Sequence, residues 1–252
     1  MAKNKGPKHK VPSIEDRFVF VGDGVSLGDQ SPLKPALFEV EDRTTGASRK
    51  LKLWRKTGSA VDEDLRRLWI HEMRQVQRVM AYVGARDVIV DVLEPVEDSE
   101  NFGVLLECAG TPLLARMRRT GRYHWLQNLS APRSRTLFWK NIRRVATALG
   151  IVHAQGLVHG ALTGASIMTE GADEPDFQLS GFEWSLWVGA DSIDRSHAVM
   201  SSTATVHRAE TYSFAEDWRA LGNMVAECLQ IKIRPSGDMI SAGEAIRKAL
   251  AR

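Results

Sequence analysis

The chain of 252 residues contains only two cysteines, Cys108 and Cys228. They lie far apart in apolar surroundings, with no Cys-x-x-Cys pair or histidine-rich neighbour that would suggest zinc, and they read as buried free thiols. No apolar run reaches the ~20 residues needed to cross a bilayer. The chain is therefore expected to be soluble, with no membrane partner. The basic N-terminus is followed by no apolar signal-peptide core, so secretion is not expected and the cytoplasm is the default compartment. Charge of one sign is also scarce. The 34 basic and 31 acidic residues leave a net +3, too balanced to argue for nucleic acid. Lys3, Lys5, Lys8 and Lys10 are a local exception that could touch a phosphate backbone, and residues 1–16 read as a solvated, disordered basic tail. There is no internal repeat and no extended low-complexity tract.

The hydrophobic content, 43%, is ordinary for a globular protein with a real core. Strands are expected at Arg17–Val21, Ala36–Glu41 and Ser48–Trp54, the last two separated by a turn at Asp42–Gly46. A helix follows over about Asp62–Met80, with an acidic first turn and Leu65, Leu68, Trp69, Val76 and Val79 at helical spacing. Two more strands are expected at Val88–Pro95 and Phe102–Leu106. Residues 17–107 thus read as a five-stranded sheet with one helix.

Past a connection near 107–112 the pattern becomes mostly helical, over 108–252. Helices are expected at Leu113–Arg119, at Ser134–Gln155 with Gly156 as its C-cap, and from Phe214 to about Gln230. Short strand-like pieces fall at Ser166–Thr169 and Phe177–Leu179. Arg122–Arg133, which holds Trp125, reads as a surface insertion, and Gly189–Thr205 as a Ser/Thr-rich loop. Few residues follow Gln230, among them the helix-like Ile240–Ala251, so the helical part reads as abbreviated.

Several motifs resemble those of eukaryotic-type (Ser/Thr) protein kinases. Leu51–Trp54 is similar to the third-strand motif, with Lys52 at the position of the lysine that holds the nucleotide phosphates. Leu68–Glu72 resembles the helix segment whose glutamate, here Glu72, pairs with that lysine. Ala148, Leu149, His153, Gly156 and His159 match the helix that runs into the catalytic loop. Leu179–Glu183 looks like the metal-binding segment, Arg208–Glu210 resembles the close of the activation loop, and Phe214–Gly222 resembles the opening of a central helix. The resemblance covers about residues 17–230 and implies an α+β, two-lobed kinase-like fold: an N-lobe over 17–107, a mostly helical C-lobe over 108–252, and a hinge near 107–112.

The same comparison implies lost chemistry. Kinases use an Asp and an Asn in the catalytic loop and a magnesium-binding Asp downstream. Those positions fall on Ala161, Ser166 and Gly181. No magnesium site is expected, and ATP binding is in doubt. The phosphate-loop glycines would fall on Gln30, Pro32 and Pro35, where proline removes backbone N–H groups. Gly22, Gly24 and Gly28 lie nearby. Lys50, sharing the face of Lys52, is expected either to fill the adenine position or to reach solvent. Glu183 could offer a carboxylate from a shifted backbone.

The retained positions imply architecture. Lys52 and Glu72 form a nucleotide clamp or an ion pair that fixes helix to sheet. His159, Phe182 and Val76 match an internal hydrophobic spine, and Asp217 matches the carboxylate that ties the catalytic-loop backbone to the central helix. Ser192, Ser196, Ser201, Ser202, Thr203 and Thr205 read as a solvated loop or a phosphorylation or partner site. Trp54, Trp69, Trp139 and Trp218 suit a core. Trp125, Trp184 and Trp187 are harder to bury and mark a candidate partner surface.

The leading expectation is a catalytically inactive pseudokinase, a regulatory or scaffolding module that binds another protein or further domains of its own protein. The alternatives are an unconventional ATP-dependent transferase using Lys52, Glu72 and Glu183, and a nucleic-acid-associated module using the basic tail and Arg116–Arg119.

Overall fold

The computed structural model describes residues 13–27, 33–107, 110–187 and 213–231. It is a mixed α+β structure built on a five-stranded antiparallel sheet, with strand order β1-β2-β3-β5-β4. The strands are β1 (Phe18–Ser26), β2 (Ala36–Asp42), β3 (Ser48–Arg55), β4 (Asp91–Glu97) and β5 (Asn101–Glu107). A short helix, α1 (Ile14–Arg17), precedes them behind a capping box in which the Ser13 hydroxyl accepts from Glu15 N and Asp16 accepts from Ser13 N.

Strand alternation buries both faces of β3. Leu51 and Leu53 pack with Ile14, Phe18, Val40 and Leu105 on one side, whereas Trp54 packs with Leu65, Trp69, Phe102 and Val104 on the other. Lys52 shares the parity of Trp54 and so faces helix α2 (Val61–Met80). The buried residues of α2 are Leu65, Trp69, Glu72, Val76 and Val79, spaced alternately four and three apart along one stripe. Glu72 is buried because of this phase: it occupies a core position on the face that meets the sheet. The Trp69 indole donates to the Gly103 carbonyl at 2.7 Å, which ties the same face to β5. Full burial of a side chain such as Leu65 or Val104 contributes about 1.5–3 kcal/mol, so this seam is well anchored around the polar pair.

The remaining elements are α3 (Ala85–Val88), β6 (Thr111–Pro112), α4 (Leu113–Arg119), α5 (Pro132–Ala154), β7 (Leu157–Val158), β8 (Ile167–Thr169), β9 (Gln178–Leu179), β10 (Leu186–Trp187) and α6 (Phe214–Cys228). β6, β8 and β9 form one small sheet, and β7 and β10 another. Helix α5 starts with Pro132 in its first turn and ends before Gly156, whose φ of 71° supplies the left-handed stop. Its buried face, including Phe138, Val145, Leu149 and Val152, packs with Leu221, Met224 and Val225 of α6 in a core that also takes in Val76 and Phe182. Cys228 is a buried free thiol, and desolvation pushes its pKa up to about 12. Cys108 lies outside the described residues.

Four sequence expectations change. Residues 13–16, read as the end of a disordered tail, open the capped helix α1, and Ile14 is buried in the core. The strand expected from Val88 begins at Asp91, because Gly84, at φ 82°, opens the turn of α3 and Ile89 forms a bridge with Leu179. Trp125 is not on a surface insertion. It is 8% exposed, sits in the main core, and donates its indole N–H to the Gly171 carbonyl at 3.0 Å. Trp218, expected in a core, is 44% exposed, with its ring edge-on to His153. No described helix is long and apolar enough to cross a membrane. The basic tail to Val11 and Pro12, the Ser/Thr cluster from Ser192 to Thr205, Arg208–Glu210 and the helix expected at Ile240–Ala251 lie outside the described residues.

Candidate functional site

The site forms where β3, α2 and the segment after β9 meet. Gly181 adopts a left-handed conformation (φ 82°, ψ 54°), and residues Phe182–Trp184 then make one turn of 3₁₀-helix. That turn brings the carboxylate of Glu183 onto the ammonium of Lys52. Lys52 Nζ donates to Glu72 Oε1 at 2.7 Å, Glu72 Oε2 at 2.8 Å and Glu183 Oε2 at 2.9 Å. Three oxygens of two carboxylates thus surround the ammonium. The three residues are 2%, 3% and 6% exposed, respectively. The Trp54 ring adds a face 4.9 Å from Nζ.

The electrostatics follow from one ammonium shared between two buried carboxylates. Burial of Glu72 pushes its pKa up to about 7, with Glu183 adding to the rise and Lys52 opposing it. Glu183 is desolvated as well, yet the Lys52 charge holds it below the usual glutamate range. Burial opposes the Lys52 charge, but Glu183 and Glu72 together raise its pKa. The two carboxylates thus share one ammonium, and burial beside a second carboxylate raises the pKa of Glu72.

Little space is left around these groups. The cavity they share is bounded by Leu27, Leu37, Val76, Val90, Val92, Leu106 and Met168, with Ser180, Gly181 and Phe182 along one side, and it measures about 10 Å³. That is room for about one water. Lys50 does not line this cavity. Its side chain is buried, with the ammonium on Glu39, its cross-strand partner, at 3.0 Å, so it takes neither expected placement: it does not fill the cavity, and it does not reach solvent.

The glycines of the β1–β2 hairpin serve the strand. Gly22, at φ 76°, lies in the register shift between Val21 and Val25, and a Cβ on Gly24 would stand 2.4 Å from the Phe38 ring. Leu27 N donates to the Pro35 carbonyl at 3.0 Å, closing the hairpin below its tip. Gly28, Gln30 and Pro32 lie outside the described residues.

Gly181 lines the cavity with Ser166 next to it, and the Ala161 N–H meets His159 Nδ1 at 3.4 Å; none of the three offers a carboxylate. The Ser166 hydroxyl is consumed locally, donating to the Thr163 carbonyl at 2.8 Å and accepting from Thr163 N at 2.9 Å. A Cβ on Gly181 would lie 3.3 Å from Ser166 Cβ, so these two positions are neighbours in space. Among the described residues no group of three or more His, Cys, Asp or Glu is arranged to hold a metal ion.

The architectural residues do converge. His159 is buried, which lowers its pKa and keeps it neutral. Its Nε2–H donates to the Ser180 carbonyl at 2.9 Å, and its ring lies edge-on to Phe182 at 5.2 Å. Val76 belongs to the same core cluster as Phe182. Asp217 accepts from His159 N at 2.7 Å and Gly160 N at 2.9 Å, and from His153 Nε2 at 2.8 Å. Desolvation works against its charge, but these donors hold its carboxylate below the usual range.

The tryptophans separate. Trp184 is half-buried beneath Lys34, whose ammonium is 5.6 Å from the ring. Trp187 pairs through its backbone with Leu157, whereas Trp125 belongs to the core. Sequence reasoning missed the seat of Glu183 on Lys52 and the ties between α2 and this segment, the Phe182 backbone N–H to Glu72 and His71 Nε2 to the Ser185 carbonyl at 2.7 Å. No protein-family model matches the chain, and no curated protein matches it.

Proposed function

We propose that this chain is a degenerate, two-lobed protein-kinase-like domain, a pseudokinase that regulates or scaffolds by binding another protein or further domains of its own protein. One observation carries the reading: the Lys52 ammonium is held by three oxygens of Glu72 and Glu183, at a cavity of about 10 Å³. A phosphate reaching that lysine would have to enter against two buried carboxylates, and the cavity has no room for a purine. Phosphoryl transfer depends on positioning and on electrostatic stabilisation by metal ligands and a base. Ala161, Ser166 and Gly181 supply neither. The ordered contacts of His159, Phe182 and Asp217 support a fold kept for its shape.

The test is thermal-shift and calorimetric titration with ATP, with and without magnesium or manganese. The expected result is no change in midpoint and no binding heat. A metal-dependent rise of several degrees that disappears in Lys52→Ala would overturn the reading. It would favour instead an unconventional ATP-dependent transferase. The observation on that side is the convergence of three buried ionisable groups, one with a pKa near 7, a pattern common at active sites.

A further inference from the structure

The two carboxylates on Lys52 are held very differently. Glu72 projects from the middle of a helix of 20 residues and offers both oxygens. Glu183 offers one oxygen from a 3₁₀ turn of three residues, entered through a left-handed glycine. With all three groups ionised the cluster carries one positive and two negative charges. An arriving anion would meet a net negative charge around the ammonium. With Glu183 withdrawn, the Lys52–Glu72 pair is neutral and the side of the ammonium that Glu183 occupied is open. Glu183 is thus both the occupant of that side and the source of the repelling charge.

We propose that Glu183 is an internal oxyanion, an autoinhibitory contact that keeps phosphate-bearing ligands off Lys52 until the 182–185 segment moves away from α2. The inference rests on the reading of the cleft given above and names how that cleft is regulated. The segment has the local means to move. Its entry is Gly181; Glu183 ties it to Lys52 on β3, and the Phe182 backbone N–H to Glu72 and the His71–Ser185 bond tie it to α2, so all of these part together when it moves. Displacement exchanges one charge-assisted hydrogen bond for another of the same kind, so a polyphosphate group loses nothing at Lys52 that Glu183 had supplied.

The experiment measures the reactivity of Lys52 toward a water-soluble acylating reagent by peptide mass spectrometry, with inorganic tripolyphosphate as the probe ligand. Exposed Lys140 reports the intrinsic rate, and buried Lys50 reports folding. In the wild-type protein Lys52 is expected to react slowly and to ignore tripolyphosphate. In Glu183→Gln and Glu183→Ala, Lys52 is expected to react roughly tenfold faster, as for loss of one charged hydrogen bond. Tripolyphosphate should restore its protection while Lys50 stays unreactive. Lys52 remaining protected in both variants, or reacting without regard to tripolyphosphate, overturns the proposal. So does unfolding of both variants, visible as rapid Lys50 labelling, because a contact required for folding is not a displaceable one. Phosphate transfer by the wild-type protein would overturn the pseudokinase reading and leave an unmasked Lys52 in the variants standing. Protected variants with no transfer would overturn only the autoinhibitory contact.

Discussion

Glu183 Oε2 lies 2.9 Å from Lys52 Nζ, a contact between residues 131 positions apart in the chain. It completes the coordination of a buried ammonium that sequence pairs with Glu72 alone, and most of the testable behaviour of this protein follows from it.

Removing the cation from this cluster leaves two buried carboxylates facing each other. Lys52→Met is expected to lower the free energy of unfolding by about 3–5 kcal/mol, measured by urea titration. Adding Glu72→Gln and Glu183→Gln to that variant should recover much of the loss, since the triple variant buries no unpaired charge. A triple variant no more stable than Lys52→Met would show that the ion cluster is not what the substitution disturbs.

The pH dependence has a definite sign. Glu72 rises from 4.5 to about 7 on folding, so the folded state holds its proton more tightly than the unfolded chain. Its contribution to stability is complete below pH 4.5 and is lost as pH rises through 7, a change of about 3 kcal/mol. His159, whose pKa falls below 6.5 on burial, works the other way, because acid must charge it. Subtracting the Glu72→Gln stability curve from that of the wild-type protein isolates the first effect. The difference should decline for the wild type between pH 4.5 and 8, and a flat difference would contradict the shift.

Asp217 holds two backbone N–H groups and His153. Asp217→Ala orphans those donors and is expected to cost about 3 kcal/mol. Asp217→Asn keeps an acceptor and should cost roughly half as much. Chemical denaturation checks both, and hydrogen exchange at the His159 and Gly160 amides should accelerate in the alanine variant first.

On the pseudokinase proposal Gly181 stands where a metal-binding carboxylate would, and restoring an acidic residue there should not restore chemistry. Gly181→Asp places a side chain at φ 82°, with its Cβ 3.3 Å from Ser166 Cβ, at a cost of about 1 kcal/mol. The variant is expected to be less stable and to show no magnesium-dependent shift with ATP. A magnesium-dependent shift would mean that the lost carboxylate alone had disabled the site.

How much of this was readable in advance depended on the range of the cause. Helix α2 was legible because its apolar residues repeat over five turns, and that phase also placed Glu72 toward β3. The seat of Glu183 on Lys52 was not legible, because the segment leaves strand geometry at Gly181 and winds through a 3₁₀ turn. Trp125 was misread for a different reason. The groups that bury it, Gly171 and Phe177, are more than forty residues away, and nothing local announces them. The helical spacing of Trp218 fits a core, but its ring is 44% exposed, edge-on to His153. Both tryptophans show that periodicity identifies an amphipathic element more reliably than it identifies what covers it.

The Lys52 cluster also dates its own assembly. Lys52 and Glu72 are separated by 20 positions and Lys52 and Glu183 by 131, and closing the longer loop costs about 1.7 kcal/mol more chain entropy. The first pair can form as soon as β3 and α2 associate. The second waits until the later half of the chain has docked. In a kinetic experiment, Glu183→Gln should therefore speed unfolding and leave the refolding rate nearly unchanged, whereas loss of Glu72 should slow refolding as well.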